Sequence, residues 1–183
     1  MIMHKDLSGL VLVDVQEKLS SHVMHSEHMI SRCAWLMRLA QTLNVPVLVS
    51  EQYPSGLGQT VASLKSLTTP YEPIEKVHFS CYRDTAFIKQ WTQLQKKQMI
   101  LIGIETHVCV LQTALDVQQS TDTDVFVVVD AVSSRHEMDH KYGLKRMKQA
   151  GIELVTSEMV FFEWVERAGT KEFKALSQSF LLT

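Results

Sequence analysis

Short apolar runs alternate with amphipathic segments along the whole chain, and this alternation is the feature that most restricts its possible folds. Six runs are short enough to be strands; they lie at 7–15, 45–50, 74–79, 98–104, 124–131 and 152–156. The first, LSGLVLVDV, is apolar on both faces, so both of its faces must be covered. The pattern therefore predicts an α/β fold, with a mostly parallel six-stranded sheet, helices on both faces and right-handed crossovers.

The segments between these runs have apolar residues at helical spacing. Helices are predicted at about 27–43, 84–95, 107–119, 137–150, 157–167 and 170–182, with a short helix that ends near 67. Asp84 occupies the position of a helix N-cap, and Asn44 and Gly151 follow positions where a helix would end. Since no repeat or linker interrupts the alternation, residues 1–183 are predicted to form a single domain.

Composition excludes several classes of function. Charged residues make up 21% of the chain and the net charge is only -2, with no Lys/Arg-rich stretch, so we expect neither a nucleic-acid nor a membrane partner. No apolar run approaches the roughly 18 residues of a membrane span. The N-terminus has no signal-peptide pattern, and the three cysteines form no CxxC motif. A cytoplasmic protein without a disulfide framework is expected.

Three residues whose side chains could take part in catalysis lie at predicted strand ends, where parallel sheets of this kind carry their active or binding sites. Asp14 follows the first strand, Lys76 lies in the third, and Cys109 follows the fourth. Singly, each has an ordinary structural explanation: a helix N-cap, an edge-strand lysine and a small core residue. Together they can converge on one crevice, where each compensates the electrostatic cost of the others.

Cys109 is the candidate nucleophile of this set. A free thiol has a pKa of about 8.5 and is only a few per cent ionised at neutral pH. The start of a helix and a nearby lysine both lower a thiol pKa, and Asp14 is available as a base. We therefore expect the Cys109 sulfur to ionise easily.

These residues also carry a resemblance to a known family. The segments VLVDVQEKL, EKVHFSCY, GIETHVCVLQTALD and VVVDAVSSR resemble the isochorismatase-like (cysteine hydrolase) superfamily, and SEQYPSGLGQT resembles its isochorismatase domain-containing branch. The resemblance covers nearly the whole chain. It implies a three-layer α/β/α, Rossmann-like fold with strand order 3-2-1-4-5-6 and a catalytic triad of Asp14, Lys76 and Cys109. It further implies a cis peptide between Ile104 and Glu105, with the amides of Glu105 and Cys109 as an oxyanion hole.

The activity implied by the resemblance is hydrolysis of a small amide or related acyl compound through a thioester acyl-enzyme. Candidate substrate-binding residues are Gln16, Tyr53, Phe79 and Thr106. The region at 51–59 lacks the histidine of metal-using nicotinamidases, so no catalytic metal and no cofactor are expected. Since members of the family are commonly oligomers, we expect a homo-oligomer, a dimer or larger.

Two other functions remain open from the sequence. One is vinyl-ether hydrolysis of the isochorismatase type, with Asp14 as general acid and no need for the thiol. The other is a catalytically idle scaffold that uses the same fold for interactions.

Several further residues have weaker signals. The H-x-x-H-x-x-H run formed by His22, His25 and His28 is interpreted as a solvated face. A dyad of His107 with Cys109 is disfavoured because the two residues lie so close in the chain. Asp130 is interpreted as a structural residue that caps the helix following it, rather than as a substrate contact.

Overall fold

The computed structural model describes residues 1–181. Its strands are β1 (Ser8–Val13), β2 (Val47–Gln52), β3 (Ile74–Lys76), β4 (Gln98–Ile104), β5 (Asp124–Ser133) and β6 (Glu153–Val155). They form one sheet in the order β3-β2-β1-β4-β5-β6, and every neighbouring pair is parallel. The predicted α/β class and the strand order 3-2-1-4-5-6 are confirmed.

Helices cover both faces of this sheet. They are α1 (Glu17–Ser20), α2 (Ser26–Thr42), α3 (Pro54–Leu57), α4 (Ala62–Lys65), α5 (Thr85–Leu94), α6 (Leu111–Ser120), α7 (Glu137–Gln149), α8 (Ser157–Val165) and α9 (Lys171–Phe180). A 3₁₀ turn (Cys81–Arg83) precedes α5, and a π-helical turn (Thr106–Val110) leads into α6. Helices α2, α8 and α9 pack on one face, and α5, α6 and α7 on the other. Among residues 1–181, no helix has both the length and the apolarity needed to cross a bilayer.

The central strand β1 shows why the sheet must be covered twice. Leu10 and Leu12 belong to the core on one face, whereas Val11 and Val13 belong to the core on the other. All six residues of β1 are buried. Because successive strand residues point to opposite faces, a continuous apolar run requires a layer of helices on each side.

Several elements differ from the predicted bounds; strand β2, for example, lies at Val47–Gln52 rather than at 45–50. Strand β3 ends at Lys76 rather than at residue 79, because it lies at the sheet edge and pairs only with the last three residues of β2. Strand β5 continues to Ser133, past an irregularity in its pairing with β4 near Gly103. The predicted helix 170–182 corresponds to α9, and residue 182 lies outside the described residues.

Gly103 sits where β4 passes very close to β1. Its φ is +112°, and a Cβ at this position would lie 2.1 Å from the carbonyl oxygen of Val13, the residue before Asp14. A side chain is therefore excluded both by backbone conformation and by space. The last residues of β1 and β4 can approach each other because residue 103 is a glycine.

We expect Gly103→Ala to destabilise the fold by about 3 kcal/mol or more, measured by urea unfolding, since it combines backbone strain with a clash against backbone. Gly151→Ala is the matched control. Gly151 also has a positive φ, +86°, but a Cβ there would meet nothing within 4 Å. Its cost should be limited to the conformational strain of about 1–2 kcal/mol. If both variants lost the same free energy of unfolding, the explanation from the close approach of β1 and β4 would be wrong.

Candidate active site

A buried ion pair lies at the carboxyl ends of β1 and β3. The Lys76 ammonium donates to Asp14 Oδ2 over 2.7 Å, and both side chains have no exposed surface. Asp14 directly follows β1 in a left-handed conformation with φ +51°, which aspartate tolerates better than most residues. Its amide donates to the carbonyl of Ser50 on the neighbouring strand over 3.2 Å. Strand pairing and backbone conformation together place the carboxylate.

The Lys76 ammonium is surrounded by acceptors. In addition to Asp14 it contacts Gln52 Oε1 at 2.7 Å, the Phe79 carbonyl at 3.0 Å and the His78 carbonyl at 3.2 Å. Burial alone would lower the pKa of Lys76, but the charge of Asp14 and the neighbouring thiols outweigh burial, and the net effect is a raised pKa. The side chain therefore remains a cation inside the protein.

Cys109 completes the group from the turn that follows β4, the neighbour of β1 on the side away from β2. The peptide bond between Ile104 and Glu105 is cis, and the π-helical turn that follows carries Cys109, which is 6% exposed. The thiol is near enough to Asp14 and Lys76 for both charges to act on it. The three residues that the sequence placed at separate strand ends are thus brought together.

The ionisation of Cys109 differs from the prediction. Burial raises the pKa of the thiol well above its ordinary value, the negative charge of Asp14 raises it further, and Lys76 offsets only part of the increase. The expected lowering by a helix start and a lysine is wrong for the resting protein, because burial of the thiol and the charge of Asp14 together outweigh Lys76. At neutral pH the sulfur is protonated beside an acceptor.

The four predicted substrate-binding residues are placed differently from one another. The side-chain amide of Gln16 donates through Nε2 to the backbone carbonyls of Gln52 and Gly58, at 3.0 and 2.7 Å. Its Oε1 accepts from the backbone N–H of Gln52 at 2.7 Å. Its polar atoms are therefore fully used in hydrogen bonds to the end of β2 and to the loop after α3. The Thr106 hydroxyl lies 2.9 Å from His140 Nδ1. Of the four, only Tyr53 and Phe79 have side chains that are more than half exposed, and the backbone of each contacts Lys76.

Other residues of the strand ends make structural contacts. Glu105 Oε2 accepts from the amide and Nε of Arg135, at 3.0 and 3.1 Å. His107 Nδ1 is 3.0 Å from the Ser134 hydroxyl, a contact that turns the ring toward β5 and argues against a dyad with Cys109. Asp130 Oδ1 accepts from the Ser157 amide at the start of α8. The structural interpretation of Asp130 is supported, although the helix it contacts is α8.

Two residues of the site, Ser50 and Gln52, were missed by sequence reasoning, whereas Cys81 was expected near the site in a packing role. The Ser50 hydroxyl donates to Asp14 Oδ1 over 2.7 Å, and Cys81 Sγ lies 3.4 Å from Ser50 Oγ. The available signal was the polar sequence Ser50-Glu51-Gln52 at the end of an otherwise apolar strand. Within residues 1–181, no three His, Cys, Asp or Glu side chains are grouped so that they could share a metal ion.

Fold and site together define an α/β protein with a carboxylate, an ammonium and a thiol at the switch in strand order. The Isochorismatase domain family matches residues 8–159. The chain therefore belongs to the isochorismatase family, whose fold is that of a hydrolase of the cysteine hydrolase superfamily.

Its relatives have varied names. Mouse isochorismatase domain-containing protein 2A is 38% identical over 172 residues, which cover 93% of this chain and 81% of the relative. The MAR1 ribonuclease of Caenorhabditis elegans is 38% identical with a TM-score of 0.90, covering 100% of this chain and 93% of that one.

YcaC is a third similar protein. YcaC of Pseudomonas aeruginosa, solved with hexane-2,5-diol and covalent acrylamide, is 25% identical with a TM-score of 0.90, covering 98% of this chain and 92% of that one. YcaC of Escherichia coli, described as an octameric hydrolase of unknown specificity, is 26% identical with a TM-score of 0.87, covering 100% and 98%.

We expect Asp14→Asn to lower the pH at which Cys109 is alkylated by iodoacetamide. Removing the carboxylate charge leaves Lys76 unopposed beside the sulfur, which stabilises the thiolate. The measurement is the midpoint of Cys109 labelling against pH, followed by mass spectrometry of the peptide. Asp124→Asn, at the far end of the sheet where β5 begins, is the control and should leave the midpoint unchanged. A higher pH midpoint of Cys109 labelling in Asp14→Asn would contradict this electrostatic explanation.

Lys76→Met should destabilise the protein by about 3–5 kcal/mol, because it leaves the buried Asp14 charge without its partner. The double variant Asp14→Asn/Lys76→Met removes both charges and should be more stable than Lys76→Met alone. Urea unfolding measures both. Arg83→Met, which breaks an exposed pair with Asp116, is the control and should change the free energy of unfolding little.

Proposed function

We propose that this protein is a cysteine hydrolase that cleaves a small amide or related acyl compound through a thioester acyl-enzyme. Asp14, Lys76 and Cys109 are its catalytic triad. The observation that carries the proposal is the buried Cys109 thiol beside a carboxylate whose charge is balanced by Lys76. Such an arrangement pairs a nucleophile with a base within one crevice.

Acylation begins from the thiol rather than from a thiolate. Asp14 accepts the Cys109 proton as the sulfur attacks the substrate carbonyl, so charge separation does not precede bond formation. The tetrahedral oxyanion is held by the amides of Glu105 and Cys109. When the C–N bond breaks, Asp14 returns the proton to the leaving amine and the thioester remains.

Deacylation uses the same carboxylate. Asp14 takes a proton from water, the resulting hydroxide equivalent attacks the thioester, and the proton passes to the departing sulfur. The products are the carboxylic acid and the regenerated Cys109 thiol. General acid–base catalysis of this kind contributes roughly 10²–10⁴-fold, and each oxyanion donor about 3–4 kcal/mol.

Lys76 serves Asp14 rather than the substrate. All of its contacts are internal, and its ammonium has no exposed surface. We infer that it balances the charge of the carboxylate and helps to orient it. The substrate then meets Cys109 from the surface side, near the exposed Tyr53 and Phe79.

The relatives lend support of different kinds. Acrylamide is a small amide with an electrophilic double bond, and its covalent attachment in Pseudomonas YcaC supports a reactive nucleophile in that relative. The name of the Caenorhabditis relative points instead to RNA. The net charge of -2 and the fully internal Lys76 favour a small molecule for this chain.

We also infer a homo-oligomer and a reducing compartment such as the cytoplasm. Tyr53, Val77 and Phe79 form an exposed apolar group beside the site, and Escherichia coli YcaC is octameric. Cys33, Cys81 and Cys109 are all free thiols, as expected in a reducing environment.

Cys109→Ala should lower the hydrolysis of a panel of small amides by about 10³-fold or more, because the covalent route is lost. Cys33→Ala removes a buried thiol in the opposite core and should retain activity. Mass spectrometry of the wild type during turnover should show an acyl adduct on the Cys109 peptide.

Adding a vinyl ether and an RNA oligonucleotide to this panel separates the competing functions. Equal turnover of the vinyl ether by Cys109→Ala and the wild type, with loss in Asp14→Asn, would favour vinyl-ether hydrolysis by a general acid. Cleavage of an RNA oligonucleotide with no amide turnover would favour a ribonuclease. No turnover of any substrate, with no acyl adduct on the Cys109 peptide, would favour an idle scaffold.

A further inference from the structure

Ser50 contacts Asp14 twice from the neighbouring strand. Its hydroxyl donates to Asp14 Oδ1 over 2.7 Å, and its carbonyl accepts the Asp14 amide over 3.2 Å. The residue is fully buried near the end of β2, so the hydroxyl has no contact with bulk water. A buried serine in this position does more than fill space, because a hydrogen bond to a charged group is among the stronger ones.

Cys81 determines which way the Ser50 hydroxyl points. Its thiol donates to Ser50 Oγ over 3.4 Å, so the serine oxygen acts as acceptor on that side and its hydrogen is directed to Asp14. Burial raises the pKa of Cys81 to about 11, and the charge of Asp14 contributes in the same direction. The thiol therefore keeps its proton at neutral pH and remains a donor.

The two Asp14 oxygens consequently have different donors. Oδ1 accepts from Ser50 and Oδ2 accepts from Lys76, each at 2.7 Å. Two donors on separate oxygens fix the plane of a carboxylate, whereas one donor alone leaves it free to rotate. The remaining lone pairs are then presented in a constant direction.

We propose that Ser50, oriented by Cys81, is a positioning residue that holds the Asp14 carboxylate in the plane from which it faces Cys109. The inference rests on the proposed function for its catalytic meaning, since it assigns Ser50 to the base of that reaction. Ser50 acts through Asp14 and does not touch the substrate. Its hydroxyl dipole also offsets part of the carboxylate charge that Cys109 experiences.

The primary test measures Cys109 alkylation by iodoacetamide and requires no hydrolysis. Ser50→Ala should move the pH midpoint of labelling upward, because the dipole that offsets the Asp14 charge is removed. Ser50→Thr keeps the hydroxyl and should restore the midpoint toward the wild-type value. In an Asp14→Asn background, Ser50→Ala should move the midpoint no further, because the two residues act as one unit.

Ser8→Ala is the matched control. Ser8 is a fully buried strand serine whose hydroxyl also contacts several partners, but it lies at the opposite end of β1. It should change the urea midpoint without changing the labelling midpoint. An unchanged or lowered labelling midpoint in Ser50→Ala would overturn the proposal. So would a change in midpoint from Ser50→Ala that is as large in the Asp14→Asn background as in the wild type.

Amide hydrolysis provides the second measurement. Ser50→Ala should lower kcat by about 10–100-fold with KM nearly unchanged, since only the base is disturbed. If no amide is hydrolysed by the wild type, the proposed function fails while the labelling experiment still decides the role of Ser50. If amides are hydrolysed and Ser50→Ala has wild-type kcat, the positioning role is wrong and the triad stands.

Discussion

The buried ion pair between Asp14 and Lys76 is the interaction on which the rest of the site depends. Removing two charges from water is costly, and the pair persists only because every charged atom has a nearby partner. Strand β2 supplies two of these partners, Ser50 and Gln52. The end of the sheet is therefore organised around satisfying one carboxylate and one ammonium.

The same pair helps to explain why the Cys109 thiol stays protonated in the resting protein. A cysteine near a lysine is ordinarily expected to ionise. Here burial is the largest influence on the Cys109 pKa, and the lysine charge is balanced by the carboxylate of Asp14. A protonated sulfur resists adventitious oxidation and alkylation, because the thiolate is the reactive form. Reaction then requires a substrate carbonyl and a base together, which links reactivity to occupancy of the site.

Much of the fold was predictable, and the failures have physical causes. Apolar runs that need two covered faces specify a parallel sheet, and the strand order followed from the resemblance. The short β3 was not foreseen because edge strands end where their partner ends, which no local pattern records. Ser50 and Gln52 were missed because their roles depend on the pairing of β2 with β1 and β3.

Periodicity and residue type are local properties, so the amino-acid order was enough to predict the layered α/β class and an aspartate, a lysine and a cysteine at three strand ends. Which charges neutralise each other, and hence that the Cys109 pKa is raised rather than lowered, depends on the folded arrangement. Ionisation depends on burial and on distances between residues far apart in the chain, and these exist only once the strands have paired.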